Sequence, residues 1–145
     1  MNICIAYFSK FGNGKKCVDE LSALLEEKGH SVTKVNVQET KPREVPQADL
    51  YIFSSPTRGG QPVGKVMGFI KKGAFPEKAG FGIMVTGMDL STGALNKLAG
   101  AAENNGLQKA SSGIKLKLDG LKGPLTEGYT DNLKAFAEEL GSFTN

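Results

Sequence analysis

The chain has 145 residues, of which 39% are hydrophobic and 23% charged, with a net charge of +3 when its one histidine is neutral. Those values suit one globular domain, residues 1–145, with a single sizeable core. The charge is too mild and the lysines too scattered to imply nucleic acid, the longest apolar runs, such as Ile3–Phe8, are far too short to span a bilayer, and Met1-Asn2-Ile3-Cys4 lacks the features of an export signal, so a cytoplasmic protein without membrane or nucleic-acid partners is expected.

Ile3–Phe8 is continuously apolar and rich in β-formers, which predicts a strand buried on both faces. Cys17, Val18, Leu21, Leu24 and Leu25 recur at helical spacing and predict a helix from about Lys15 to Lys28, stopped by Gly29. Ser31–Val37 alternates near its end and predicts a strand with one wet face. Pro42 and Pro46 mark a loop or short helix before a second apolar strand, Asp49–Ser54. Val63, Val66, Met67 and Ile70 predict the next helix, and Phe81–Val85 a third buried strand. Leu95, Leu98, Ala99 and Ala102 predict a helix ending near Gly106. Ile114, Leu116 and Leu118 alternate with Lys115 and Lys117, an edge strand whose lysines discourage sheet-to-sheet pairing. Leu133, Phe136, Ala137 and Leu140 predict the last helix.

Alternating strands and helices predict an α/β fold, a parallel five-stranded sheet with helices on both faces. The second and fifth strands read as edges and the other three as interior, which favours the order 2-1-3-4-5 over 3-2-1-4-5. A ligand then belongs beyond the carboxyl ends of the first and third strands, among Ser9–Gly14, Ser55–Pro62 and Thr86–Thr92.

Ser9-Lys10-Phe11-Gly12-Asn13-Gly14 joins a strand to a helix start, where glycines let N–H groups turn toward an anion and the helix dipole favours negative charge. Lys10 and Lys15 stand ready to add full charges, although a plain tight turn fits the same residues. Other phosphate motifs fit worse. A Walker loop needs glycine at Ser9 and a hydroxyl at Lys16. A dinucleotide fingerprint starting Gly12-x-Gly14 puts its third glycine on Cys17, though Glu39 suits its ribose-binding acid. A phosphoacceptor receiver needs aspartate where Ser54-Ser55 stand, and a cysteine phosphatase needs arginine at Lys10 or Ala23. Cys4 and Cys17 fall in apolar positions and read as buried small hydrophobes. No acid–base pair, nucleophile or metal-ligand cluster stands out, and His30 lies at the far end of the first helix from these loops, as an expected surface residue.

Taken together these loops resemble those of the flavodoxin superfamily, over nearly the whole chain. Tyr7–Gly14 is similar to its first phosphate loop, Phe53–Gly60 to its second flavin loop, and Val85–Asp89 to its third. Ser55-Pro56-Thr57-Arg58 is also similar to the branch of quinone reductases resembling the tryptophan-repressor-binding protein. The resemblance implies a flavodoxin-like three-layer sandwich binding flavin mononucleotide (FMN). Ser9, Lys10, Phe11, Gly12, Asn13 and Gly14 would surround the phosphate; Pro56, Thr57, Arg58 and Gly59 the ribityl chain and one ring face; Thr86, Gly87, Met88 and Asp89 the pyrimidine edge. It further implies that a glycine carbonyl, best Gly59, meets the reduced ring.

The chain also departs from that pattern. Phe11 and Gly14 replace hydroxyl donors, a loss of about 1–3 kcal/mol in phosphate binding. Neither flavin loop carries Trp or Tyr, and an aromatic pair is worth about 0.5–1.5 kcal/mol beyond its area; Met88 is a soft substitute. Lys10 and Arg58 flank a site that is usually acidic, which predicts a flavin potential less negative than the family's range. The expected function is an FMN-binding electron carrier serving redox partner proteins, with the basic balance leaving room for acidic ones. Two rivals remain: an FMN-dependent NAD(P)H:quinone oxidoreductase, and a module of the same fold that has lost its flavin.

Overall fold

The computed structural model describes residues 1–88 and 91–144. Its chain runs β1 (Asn2–Tyr7), α1 (Asn13–Glu27), β2 (Ser31–Asn36), a 3-10 turn at Pro42–Glu44, β3 (Leu50–Arg58), β4 (Gln61–Pro62), α2 (Gly64–Lys72), β5 (Gly80–Gly87), α3 (Gly93–Asn104), β6 (Gln108–Lys109), β7 (Ile114–Lys117) and α4 (Tyr129–Gly141). The apolar runs become the interior strands because each has a helix layer on both sides. Leu50 and Ile52 point into a core with α1 and α4, while Tyr51 and Phe53 point into a second core with α2 and α3. β2 and β7 carry the exposed positions expected of edges.

β1, β3 and β5 pair in parallel, with β2 outside β1, and β6 and β7 both along the outer side of β5. By sheet position this is the expected order 2-1-3-4-5. The fifth position differs in detail: two short strands share it, interrupted around Ala110–Gly113. Gly113 has φ +92°, and a Cβ there would sit 2.9 Å from Leu95, so the break is made by a residue that only glycine can fill. α4 closes tightly on β5, since a Cβ at Gly82 would fall 2.6 Å from Leu140.

Two further differences shape the loops at the carboxyl end. β3 does not stop at Ser54 but continues to Arg58 and folds back on β4, pairing Thr57 with Pro62 and Arg58 with Gln61. The two-residue turn between them, Gly59-Gly60, has φ +56° and +76°, the double positive φ of a type I′ hairpin turn. α1 begins at Asn13, inside the expected loop rather than after it. No helix among the described residues is long and apolar enough to cross a membrane.

Candidate functional site

Gly12 ends the β1–α1 loop at φ +90° and serves as the N-cap of α1, with no side chain capping the helix. The first helical bond runs from the Lys16 N–H to the Gly12 carbonyl at 2.9 Å. The N–H groups of Asn13, Gly14 and Lys15 therefore precede the helical ladder and face outward with the positive end of the helix dipole. The Gly12 N–H donates to Ser9 Oγ at 3.2 Å, which folds the loop tightly over the helix start.

Ser9, Lys10, Phe11, Asn13 and Gly14 form one wall of a cleft, Pro56, Thr57 and Arg58 another, and Thr86 its floor. Nine of the fourteen expected site residues thus line one cavity. Of the rest, Gly12 and Gly59 act through backbone conformation, in the cap of α1 and at the tip of the hairpin turn. Gly87 stands behind the cleft, where a Cβ would fall 2.1 Å from Thr57 Oγ1, so its lack of a side chain lets the second and third loops meet. Met88 is 53% exposed, projecting from its loop rather than folding onto the core. Asp89 lies outside the described residues.

Several side chains have other duties than the sequence implied. Lys15 does not supply charge to the loop: it pairs with Asp19 at 2.7 Å, and its hydrogen bond, with that of Lys34, holds the Asp19 carboxyl below its usual range. The Asn13 amide donates to the Lys122 carbonyl at 3.0 Å, tying α1 to the β7–α4 loop. That loop completes the cleft with Leu118 and Leu121, which sequence reasoning missed. It is held by an antiparallel bridge of Leu118 with Leu125 and by the Thr126 hydroxyl on Asp119 at 2.8 Å. The signal that would have found it is topological, since every β–α loop of a parallel sheet opens on the same end. Lys115 was also missed: its ammonium reaches Thr57 Oγ1 at 3.5 Å instead of standing in solvent. Thr57 in turn donates to the Thr86 carbonyl at 3.2 Å.

Ser54 adds an unexpected group. Its side chain is 1% exposed, its Oγ has no hydrogen-bond partner, and strand alternation places it on the α1 side of β3, beside Tyr7, the last residue of β1. A buried hydroxyl without a partner is costly and marks a place where a ligand or water completes the structure.

No cysteine lines the cleft among the described residues. Cys4 and Cys17 are buried in the two cores, and burial pushes both thiols up to about 12, so neither forms thiolate near neutrality. His30 sits at the opposite end of the sheet, with Nδ1 3.0 Å from the Met1 amino group. It is partly covered rather than free on the surface. No group of three or more His, Cys, Asp or Glu among the described residues could hold a metal.

No protein-family model matches the chain, and no curated protein matches it. Solved structures do. The flavodoxin of Streptococcus pneumonia TIGR4 superposes with a TM-score of 0.82 at 22% identity, covering 98% of this chain and 99% of that one. Oxidised Flavodoxin 1 of Bacillus cereus gives 0.83 at 14% identity, with both chains covered completely. The two-electron reduced flavodoxin of Megasphaera elsdenii gives 0.76 at 16% identity, covering 97% and 99%. At such identities the likeness speaks for architecture, and it extends over full lengths on both sides: the chain has the flavodoxin fold.

Proposed function

We propose that the chain is an electron carrier that binds FMN noncovalently in the cleft at the carboxyl end of the sheet. One observation carries the reading: the uncapped start of α1 at Gly12 opens into the same cleft as apolar Phe11, Pro56 and Leu121. That pairing of an anion site with an apolar wall, at the switch point between β1 and β3, suits a ligand with a phosphate at one end and a flat ring at the other.

The donor set also suits the cofactor. The N–H groups of Asn13, Gly14 and Lys15 and the Lys10 ammonium would hold the phosphate. Pro56, Thr57 and Arg58 would bound the ribityl chain. Thr86 and the backbone at Gly87 would meet the ring edge, with Met88 and Asp89 following. Phe11 is the aromatic side chain that lines the cleft among the described residues. Bound flavin supplies reversible one- and two-electron redox chemistry, and the protein's share is position and electrostatics. Lys10 and Arg58 line the cleft with no carboxylate among the described lining residues, so reduction that adds negative charge is favoured there.

Spectroelectrochemical titration of the FMN-loaded protein tests this. The expected result is reversible reduction at a potential less negative than the range of acidic flavodoxins, and no NADPH-driven quinone reduction unless a separate reductase is added. A potential at or below that range contradicts the electrostatic reading. Quinone turnover with NADPH alone makes the protein an oxidoreductase instead.

A further inference from the structure

The large apolar side chains left exposed among the described residues are Phe11, Met88 and Leu121, at 41%, 53% and 68%. They come from three different loops, after β1, β5 and β7, and all three loops open on the carboxyl end of the sheet. Phe11 and Leu121 line the candidate cleft itself. Cations frame them. The Lys10 and Lys122 ammonium groups lie 5.2 and 5.7 Å from the centroid of the Phe11 ring. Arg58 stands across the cleft, its guanidinium 5.7 Å from the Phe8 ring. The ion pairs found among the described residues, Lys15 and Lys34 with Asp19 and Lys28 with Glu138, involve none of these three cations.

An exposed apolar patch flanked by three cations that make no ion pair among the described residues has the make-up of a protein-docking face: the apolar centre contributes affinity, and the cations set the approach rate and the partner's sign. A second copy of this chain fits poorly, because a two-fold contact would set the cations against themselves. An anionic membrane is served less well by three side chains on separate loops than by an amphipathic helix. We propose that this face docks an acidic redox protein, with Phe11, Met88 and Leu121 as the dry centre and Lys10, Arg58 and Lys122 against the partner's carboxylates. The proposal rests on the flavin reading, which places the electron's point of entry at the same end of the sheet.

The test begins with FMN affinity, then follows stopped-flow reduction of the FMN-loaded protein by a reduced plant-type ferredoxin, an acidic protein that gives up one electron per encounter. Mitochondrial cytochrome c, a basic one-electron acceptor, oxidises the reduced protein in the companion measurement. Raising salt from about 20 mM to about 500 mM shortens the screening length several-fold. The ferredoxin rate constant should fall at least about tenfold over that range, and the cytochrome c rate constant should stay level or rise. Lys122→Glu, compared with the parent at full FMN occupancy, should lower the low-salt ferredoxin rate about fivefold. Docking is overturned by a ferredoxin rate insensitive to salt, by a Lys122→Glu variant as fast as the parent, or by tight binding to phosphatidylserine vesicles that abolishes the ferredoxin reaction. Failure to bind FMN removes the functional reading and the docking with it, whereas FMN binding with salt-insensitive kinetics removes the docking alone.

Discussion

At Gly87 the second and third loops share space that any side chain would occupy. A methyl group there would collide with Thr57 Oγ1, whose bonds to the Thr86 carbonyl and from Lys115 hold the cleft's inner wall. Gly87→Ala should therefore cost about 1–3 kcal/mol of stability, as overpacking does, and weaken FMN binding at least tenfold; urea unfolding and a flavin titration report the two effects. A variant with the parent's affinity would mean that this wall does not shape the site. His30 carries a different signal. Burial, then the Met1 amino group, then Lys28 hold its pKa below the usual value of about 6.5. A group whose pKa is depressed on folding contributes stability above its unfolded value, and that contribution is lost as pH falls through the folded value. Stability should thus decline between about pH 7 and pH 5, before the Asp19 carboxyl begins to protonate, and His30→Gln should flatten that decline in urea midpoints measured across the range. Identical profiles for the two proteins would contradict this. Sequence reading reached the loop residues Ser9–Gly14 but misjudged Lys15 and Lys115. The causes differ: Lys15 meets Asp19 one helical turn on, a pair that forms because α1 begins already at Asn13, whereas the long flexible stem of Lys115 carries its ammonium to Thr57, a neighbour distant in sequence.

At the scale of elements, periodicity identified the helices and interior strands because each has enough residues to show a face. The short pieces escaped it. β4 and β6 have two residues each, and β3 continues through Pro56 and up to Gly59-Gly60, residues that usually punctuate a loop. A two-residue I′ turn needs positive φ at both centres, so the glycines that look like a loop are what allow the hairpin. The β7–α4 loop was likewise invisible, since Leu118–Thr126 carries no phosphate or flavin motif, and its role follows from where the fifth strand ends. Its attachment to α1 makes a prediction. Asn13→Ala removes the bond to the Lys122 carbonyl, which is worth about 1 kcal/mol, and should raise amide exchange in residues 119–123 several-fold while leaving the β-strands protected. Unchanged exchange in that loop would show that its internal bonds, not Asn13, hold it in place.

For the whole molecule, the edge-and-interior pattern of the strands was enough to choose the order 2-1-3-4-5, and that order locates the cleft. What sequence could not convey is the combined character of that end of the molecule. Its cations and its exposed apolar side chains are separated along the chain and meet only through the loops after β1, β3, β5 and β7. The central claim is that the start of α1 recognises a phosphate while the rest of the cleft takes a flavin ring. Titrating the apoprotein with FMN and, in parallel, with riboflavin, both followed by quenching of flavin fluorescence, separates the two halves of that claim. Charge-assisted hydrogen bonds of about 1.5–3 kcal/mol to the phosphate predict saturable FMN binding at micromolar concentration or below, and riboflavin weaker by tenfold or more. Equal affinity for the two would contradict a phosphate site at Gly12, and no saturable binding of either at micromolar concentration would contradict the account as a whole.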